Sequence, residues 1–121
     1  MTPMLLPKLR SRRLLDEIAR MPFCTLRVAG LAGQRCAPTA THVAAHIATY
    51  GKGMSTKTSD LAAVCACATC HDLLDRRAGR WQALYAEHEA EVWRRIARAL
   101  TETHGWLAGR GLLTVPGGKI L

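Results

Sequence analysis

The chain has 121 residues, a length that usually forms one domain with a modest core. Hydrophobic residues make up 49% of the chain and charged residues 21%, which indicates a globular protein and excludes an intrinsically disordered one. Seventeen Lys and Arg against nine Asp and Glu leave a formal net charge of +8, which favours a polyanionic partner such as nucleic acid.

Residues 1–22 are predicted to form a basic N-terminal arm. Pro3 and Pro7 interrupt its start, and the composition of residues 11–20 predicts one short basic helix. No secretory signal is evident, and no stretch approaches the length that spans a membrane. We therefore expect a cytoplasmic protein, and in a reducing compartment its five cysteines favour metal binding over disulfides.

The middle of the chain predicts short strands. Residues 23–36 are interpreted as a strand, a glycine-containing turn and a loop. β-Branched and small residues at 41–49 predict a strand that contains His46 and Ile47. A polar loop is predicted over residues 50–60, and the apolar residues 61–66 predict a buried strand.

Two helices are predicted to follow. The first begins near Cys70 and runs to residue 77, with Gly79 ending it. The second covers residues 81–103 and ends at Gly105. Its apolar face repeats every four residues at Leu84, His88, Val92, Ile96 and Leu100. Residues 112–115 predict a closing strand, so the main domain spans residues 23–115 and residues 116–121 form a tail.

Two cysteines at Cys67-Ala-Thr-Cys70 are spaced to bind one zinc ion from the same side. A tetrahedral site needs two more ligands, for which Cys24 and Cys36 are the natural candidates. Cys65 is either a small buried hydrophobe or an alternative to Cys36.

Residues 67–70, together with the His71 that follows them, also match the signature for covalent haem attachment. Haem attachment belongs to exported proteins and needs an axial ligand, yet Met54 precedes the motif and no methionine follows it. Zinc is therefore the preferred interpretation. A redox-active cysteine pair fits less well, because no βαβ pattern surrounds the motif.

A second metal site is predicted on the helix that follows the cysteines. His71 opens that helix, and Asp75 lies four residues later on the same face. A nitrogen and a carboxylate oxygen in this arrangement can hold a divalent cation beside a phosphate.

The order His46-Ile47, Asp60-Leu61 and Cys67-x-x-Cys70-His71 resembles the HNH (ββα-metal) endonuclease pattern. The chain is more closely similar to the small prophage-encoded nucleases of the YbcO-like group. The matching stretches are Ala45-His46-Ile47, residues 51–57, Asp60-Leu61, Cys70-His71-Asp72-x-x-Asp75-Arg76-Arg77, Cys24-x-Leu26-Arg27-Val28-x-Gly30 and Trp106-Leu107. The resemblance covers residues 23–115.

The resemblance implies an α+β fold: a zinc-stapled treble-clef or ββα-metal core with an added long C-terminal helix. It also implies an enzyme that cleaves DNA in the cytoplasm of a bacterial or phage-infected cell. His46 would be the general base, and Asp60 would fix the loop that orients it. His71, with Asp75, would bind a catalytic Mg²⁺, Mn²⁺, Ni²⁺ or Zn²⁺. Cys24, Cys36, Cys67 and Cys70 would hold a structural Zn²⁺. Because a general-base histidine must be neutral, activity should decline below about pH 6.5.

Two residues depart from the pattern, and the departure at Ala45 favours a different class of protein. Ala45 stands where a metal ligand is usual, and Asp60 stands where Asn is usual. The alternative is a non-catalytic, zinc-bound module that binds nucleic acid or a partner. In that case His46 is a packed core histidine, and Asp75 forms an ordinary surface ion pair with Arg76 or Arg77.

Overall fold

The computed structural model describes residues 7–47, 58–75 and 80–121. Within these ranges the chain forms two strands and three helices, which confirms the α+β class. In chain order they are α1 (Arg12–Ala19), β1 (Val43–His46), β2 (Ala63–Ala66), α2 (Ala68–Leu74) and α3 (Arg80–Gly109). The helix α3 is kinked at His88, where φ is −134° and ψ is 27°, so the predicted four-residue repeat does not run along one straight helix.

The two strands form an antiparallel hairpin that divides the core. Val43 lies opposite Ala66, and His46 lies opposite Ala63. All four residues of β2 are buried. Because successive side chains point to opposite faces, Val64 and Ala66 face one side of the hairpin, and Ala63 and Cys65 face the other.

One face of the hairpin packs against α2 and most of α3. Leu73 of α2 and Val92 and Ile96 of α3 are buried there with Ala45 and Val64. Each fully buried aliphatic side chain of this kind stabilises the fold by about 1.5–3 kcal/mol. This cluster also encloses the cysteines Cys24, Cys67 and Cys70.

The opposite face packs against α1, which confirms the predicted N-terminal helix. Ser11 caps it by accepting a hydrogen bond from the Leu14 N–H. Leu14 and Ile18 share one face of the helix and are buried with Cys65 and Leu107. The helix that we assign to the basic arm is therefore a packed part of the fold.

The strand predicted within residues 23–36 is wrong. The segment is irregular and contains a 3₁₀ turn at Ala29–Ala32, after which Gly33 adopts a φ of 70°. Cys24 and Cys36, near the two ends of the segment, both belong to the sulfur cluster described below. Leu26 and Val28 are buried without strand pairing. Thr25 makes a sheet-like contact by donating its N–H to the Cys65 carbonyl oxygen.

The end of α3 also differs from the prediction. The helix continues through Gly105 to Gly109, because Leu107 is buried and extends the apolar face. The strand predicted at residues 112–115 is wrong as well. There Leu112 donates its N–H to the Leu107 carbonyl oxygen, so this segment caps the helix.

The helix α2 begins two residues before the predicted start at Cys70 and ends at Leu74. The predicted end at Gly79, the residues Arg76 and Arg77, and the similarity over residues 51–57 lie outside the described residues. None of the helices in the described ranges has the length and apolar character needed to cross a bilayer.

Candidate metal centre and histidine–aspartate pair

Four cysteines converge where α2 meets the segment that precedes the hairpin. Cys67 is the N-cap of α2, and its Sγ accepts the Cys70 N–H at 3.4 Å. The Cys67 N–H in turn donates to the Sγ of Cys24, also at 3.4 Å. Such N–H donors stabilise negative charge on sulfur, as metal-bound thiolates require.

The spacing of the sulfur atoms fits a tetrahedral zinc site. The Sγ atoms of Cys24, Cys36, Cys67 and Cys70 all lie within 4.8 Å of one another. Cys36 Sγ and Cys70 Sγ are 3.7 Å apart. With Zn–S bonds of about 2.3 Å, tetrahedral geometry places sulfurs about 3.8 Å apart. The cysteine set chosen from the sequence is therefore brought together and fits one structural metal ion.

Three of these thiols, those of Cys24, Cys36 and Cys70, compete for protons. The hydrogen bond from Cys70 lowers the pKa of Cys24 to about 4. The same hydrogen bond with Cys24, together with burial, raises the pKa of Cys70. Burial raises the pKa of Cys36 to about 11. A divalent cation at the centre would take the place of the protons and stabilise all four thiolates together.

Cys65 is not part of this cluster. It lies on β2 and points to the α1 face, where it is buried with Leu14 and Ile18. Its burial raises its pKa to about 12, as expected of an unreactive buried thiol. The alternation that would place Cys65 beside Cys67 ends at the hairpin, because Cys67 already caps α2. Of the two alternatives left open by the sequence, the structure favours Cys36.

A second group of polar residues lies at the other end of the hairpin. His46 is the last residue of β1, and its side chain is 29% exposed. Its Nε2 lies 2.9 Å from Oδ1 of Asp60, which is buried. Ser59 caps the 3₁₀ turn Asp60–Ala62 by accepting the Leu61 N–H, and this turn presents Asp60 to the histidine.

The Asp60 side chain is held as a carboxylate. Burial by itself would raise the pKa of this carboxyl. The hydrogen bonds from His46 and from the Ser11 N–H, together with the charge of Arg10, outweigh burial and hold the pKa below 3.8. A carboxylate can only accept, so Nε2 of His46 carries a hydrogen, and in a neutral imidazole the lone pair is then on Nδ1.

The structure does not bring His71 and Asp75 to this pair. His71 is exposed on α2 and lines a surface cleft of about 460 Å³ together with Thr41, Val43 and Asp72. Asp75 is the C-cap of α2 and follows its last helical residue. Their predicted roles stay predictions.

The hairpin itself separates these positions. By strand alternation, His46 shares the face of Ala44 and α1, whereas α2 packs on the opposite face. Among the described residues, the four cysteines form the group of three or more metal-ligating side chains close enough to share an ion.

Sequence reasoning missed the residues that surround Asp60. The Ser11 N–H donates to Oδ2 of Asp60 at 2.7 Å, and Arg10 NH1 lies 3.8 Å from Oδ1. On the other side, His104 Nε2 lies 2.8 Å from the Leu61 carbonyl oxygen. These contacts join residues more than forty positions apart, and the sequence held no local signal for them.

The arginines of α3 are largely engaged within their own helix. Arg94 and Arg95 form ion pairs with Glu91, and Arg98 pairs with Glu102. Exposed pairs of this kind contribute about 0–1 kcal/mol each to stability. This helix face therefore offers less uncompensated positive charge than its arginine count indicates.

Comparison with known proteins gives one family match. Residues 14–106 match the model of a family described as "Putative nuclease YbcO". No curated protein and no solved structure matches the chain at a significant level. The matched span contains the four clustered cysteines and both members of the His46–Asp60 pair.

Proposed function

Because this chain belongs to the YbcO family of putative nucleases, we propose that it is a metal-dependent HNH-type endonuclease that hydrolyses phosphodiester bonds in DNA. The observation that carries the proposal is the 2.9 Å hydrogen bond between His46 and the buried carboxylate of Asp60. A partly exposed imidazole held by a carboxylate is the arrangement that a general base needs.

In the proposed reaction, Nδ1 of His46 takes a proton from a water molecule. The resulting hydroxide attacks phosphorus, the bond from phosphorus to the leaving oxygen breaks with its electron pair on that oxygen, and the leaving oxygen takes a proton from solvent water. Asp60 keeps the lone pair on Nδ1 by accepting the Nε2–H, and its negative charge stabilises the imidazolium that forms. Asp60 thereby takes a more direct part than the loop-fixing role that the HNH pattern implies.

A divalent cation, when bound, would stabilise the charge that develops on the phosphate and on the leaving oxygen. We propose His71 and Asp75 as its protein ligands. The resemblance to the HNH pattern supports this assignment; the hairpin does not, because α2 packs on the face opposite to that of His46. Two ligands suit a cation such as Mg²⁺, which keeps several waters and takes further oxygens from substrate phosphate. The exposure of His71 at an open cleft supports access for such a substrate.

The zinc site is proposed to be purely structural. Its four sulfur ligands would complete a tetrahedral shell and leave no coordination position for substrate. It would fix the start of α2 to the segment that precedes the hairpin. The net charge of +8 supports DNA as the partner, because basic side chains gain affinity by displacing counterions from phosphates.

A nicking assay on supercoiled plasmid, with Mg²⁺, Mn²⁺ or Ni²⁺, tests the proposal. Wild type should convert plasmid to the open circle, and His46→Ala should reduce the rate at least a hundredfold, as expected when a general base is removed. His42→Ala is the matched control, because His42 bonds to the Met21 carbonyl oxygen, away from Asp60. Equal rates for wild type and His46→Ala would exclude His46 as the base.

A second candidate is a non-catalytic, zinc-bound module that binds nucleic acid. The position of Ala45 favours it, since this residue is 4% exposed and faces the α2 side of the core. A ligand is usual there in the HNH pattern, and here the position offers none. This candidate predicts that wild type and His46→Ala bind DNA with the same affinity and that neither cleaves it.

A further inference from the structure

We propose that residues 9–11 form a clamp that positions the His46–Asp60 pair, and that Arg10 is a positioning residue acting through Asp60. The catalytic role of this clamp rests on the proposed nuclease function. Its structural basis is a set of contacts between the start of the described chain and the turn that carries Asp60.

The backbone of the clamp pairs with that turn. The Asp60 N–H donates to the Leu9 carbonyl oxygen at 3.0 Å. The Leu9 N–H donates to Oγ of Ser59 at 3.1 Å. One backbone bond and one bond to a side-chain hydroxyl, in opposite directions, fix residue 9 alongside residues 59 and 60.

Both oxygens of the Asp60 carboxylate have donors from different parts of the fold. Oδ2 accepts the Ser11 N–H at 2.7 Å, and Oδ1 lies 2.9 Å from Nε2 of His46. Ser11 is also the N-cap of α1, whose residues Leu14 and Ile18 are buried in the core. The carboxylate is thus anchored through α1, and its direction toward His46 is fixed.

Arg10 completes the clamp from the solvent side. Its NH1 donates to the Thr58 carbonyl oxygen at 2.7 Å and lies 3.8 Å from Oδ1 of Asp60. The guanidinium therefore ties residue 10 to the start of the turn and places a positive charge beside the carboxylate. Arg10 acts on the imidazole through Asp60, which is why we assign it a positioning role.

The need for a clamp follows from how short the turn is. Asp60–Ala62 is a three-residue 3₁₀ turn with one side-chain cap from Ser59. Short 3₁₀ turns have poor hydrogen-bond geometry and little stability of their own. A catalytic pair must be held within about 0.5 Å of its productive geometry, so the clamp supplies the rigidity that the turn lacks.

The test compares Arg10→Ala and Arg10→Lys with Arg20→Ala. Arg20 belongs to the same basic segment and pairs with Glu17. Arg20→Ala therefore removes one positive charge, as Arg10→Ala does, but leaves the contacts of Asp60 in place. The first readout is the Nε2–H proton resonance of His46, assigned by its loss in His46→Gln. The second readout is kcat and KM for cleavage of a defined DNA substrate.

We expect the His46 Nε2–H resonance to be sharp in wild type and Arg20→Ala, and broadened or absent in Arg10→Ala. Cleavage by Arg10→Ala should show a kcat lower by about tenfold, the effect of one charge-assisted hydrogen bond, with KM changed less than about twofold. Arg10→Lys, which keeps the charge, should recover part of both signals.

An unchanged resonance in Arg10→Ala would overturn the clamp, whatever the activity. A loss confined to KM would also overturn it, because that result would identify Arg10 as a substrate-binding residue. The resonance needs no cleavage to be measured. If wild type cleaves no DNA but Arg10→Ala still loses the resonance, the proposed function fails and the positioning contact stands.

Discussion

Nε2 of His46 lies 2.9 Å from Oδ1 of Asp60, although the two residues belong to different elements on either side of the β1–β2 connection. The hairpin register sets this distance, since His46 is paired with Ala63, three residues beyond Asp60. A slip of one residue would turn His46 to the opposite face of the hairpin. The geometry of the pair therefore depends on strand register as much as on the two side chains.

Replacing Asp60 by Asn should separate this contact from mere packing. The amide keeps the shape of the carboxylate but loses its charge, and it cannot accept from both His46 and the Ser11 N–H without one poor contact. We expect kcat for DNA cleavage to fall about 10- to 100-fold, the usual cost of losing a carboxylate that orients a functional histidine. Asp16→Asn, an exposed change on α1, should leave kcat unchanged.

Asp60 should also make the free energy of unfolding depend on pH. Its pKa is lower in the folded protein than the ordinary value of 3.8, so the unfolded chain binds more protons in the acid range. Its contribution is fully present above the ordinary value and is lost as pH falls through the folded pKa. Urea unfolding of wild type and Asp60→Asn should therefore show a difference in unfolding free energy that is larger at pH 7 than at pH 3.5.

Both proteins in that comparison contain the same four cysteines, so any acid-driven loss of zinc affects them equally. A difference in unfolding free energy that stays constant from pH 7 to pH 3.5 would contradict the assignment of Asp60 as a stabilised carboxylate. The comparison needs no catalytic activity.

The cysteine cluster should bind one zinc ion per chain. Cys36→Ser should abolish stoichiometric binding and lower the melting temperature by about 10 °C or more, because metal binding contributes directly to folding free energy. Cys65→Ala should retain the zinc, since Cys65 faces the α1 side of the hairpin. Metal analysis after gel filtration measures both, and zinc loss from Cys65→Ala would show that the ligand set is different.

Two glycine substitutions should change stability in opposite directions. Gly105 lies inside α3, and a Cβ added there would meet no atom within 4 Å, so Gly105→Ala should stabilise the fold by about 0.5–1 kcal/mol. Gly33 also has open space, but its φ is 70°, so Gly33→Ala should destabilise the fold by about 1 kcal/mol. Urea unfolding measures both, and a destabilised Gly105→Ala would contradict an uninterrupted helix there.

The sequence predicts the clustered cysteines better than the contacts that hold Asp60 in place. Cys67 and Cys70 carry a local spacing signal, and the choice of Cys24 and Cys36 as their partners agrees with the sulfur cluster. The contact between Asp60 and Ser11 could not be predicted, because it joins residues 49 positions apart and uses a backbone donor. The only clue is that a buried carboxylate must find donors somewhere.

The incorrect predictions of secondary structure have a common physical origin. The apolar character of Leu26 and Val28 favours a strand, but they pack beside the sulfur cluster without a partner strand. The low helix propensity of Gly105 favours a helix end, yet burial of Leu107 outweighs a cost of about 1 kcal/mol. In both cases tertiary packing overrides a local preference.

The distribution of contacts along the chain sets a limit on when the protein can fold during synthesis. Ser11 leaves the ribosome long before Asp60, and Leu14 and Ile18 long before Leu107, with which they are buried. The core on the α1 side therefore cannot close while translation is still producing α3. In a nascent chain, Leu14 and Ile18 therefore stay without their partner Leu107 until residue 107 has joined the fold.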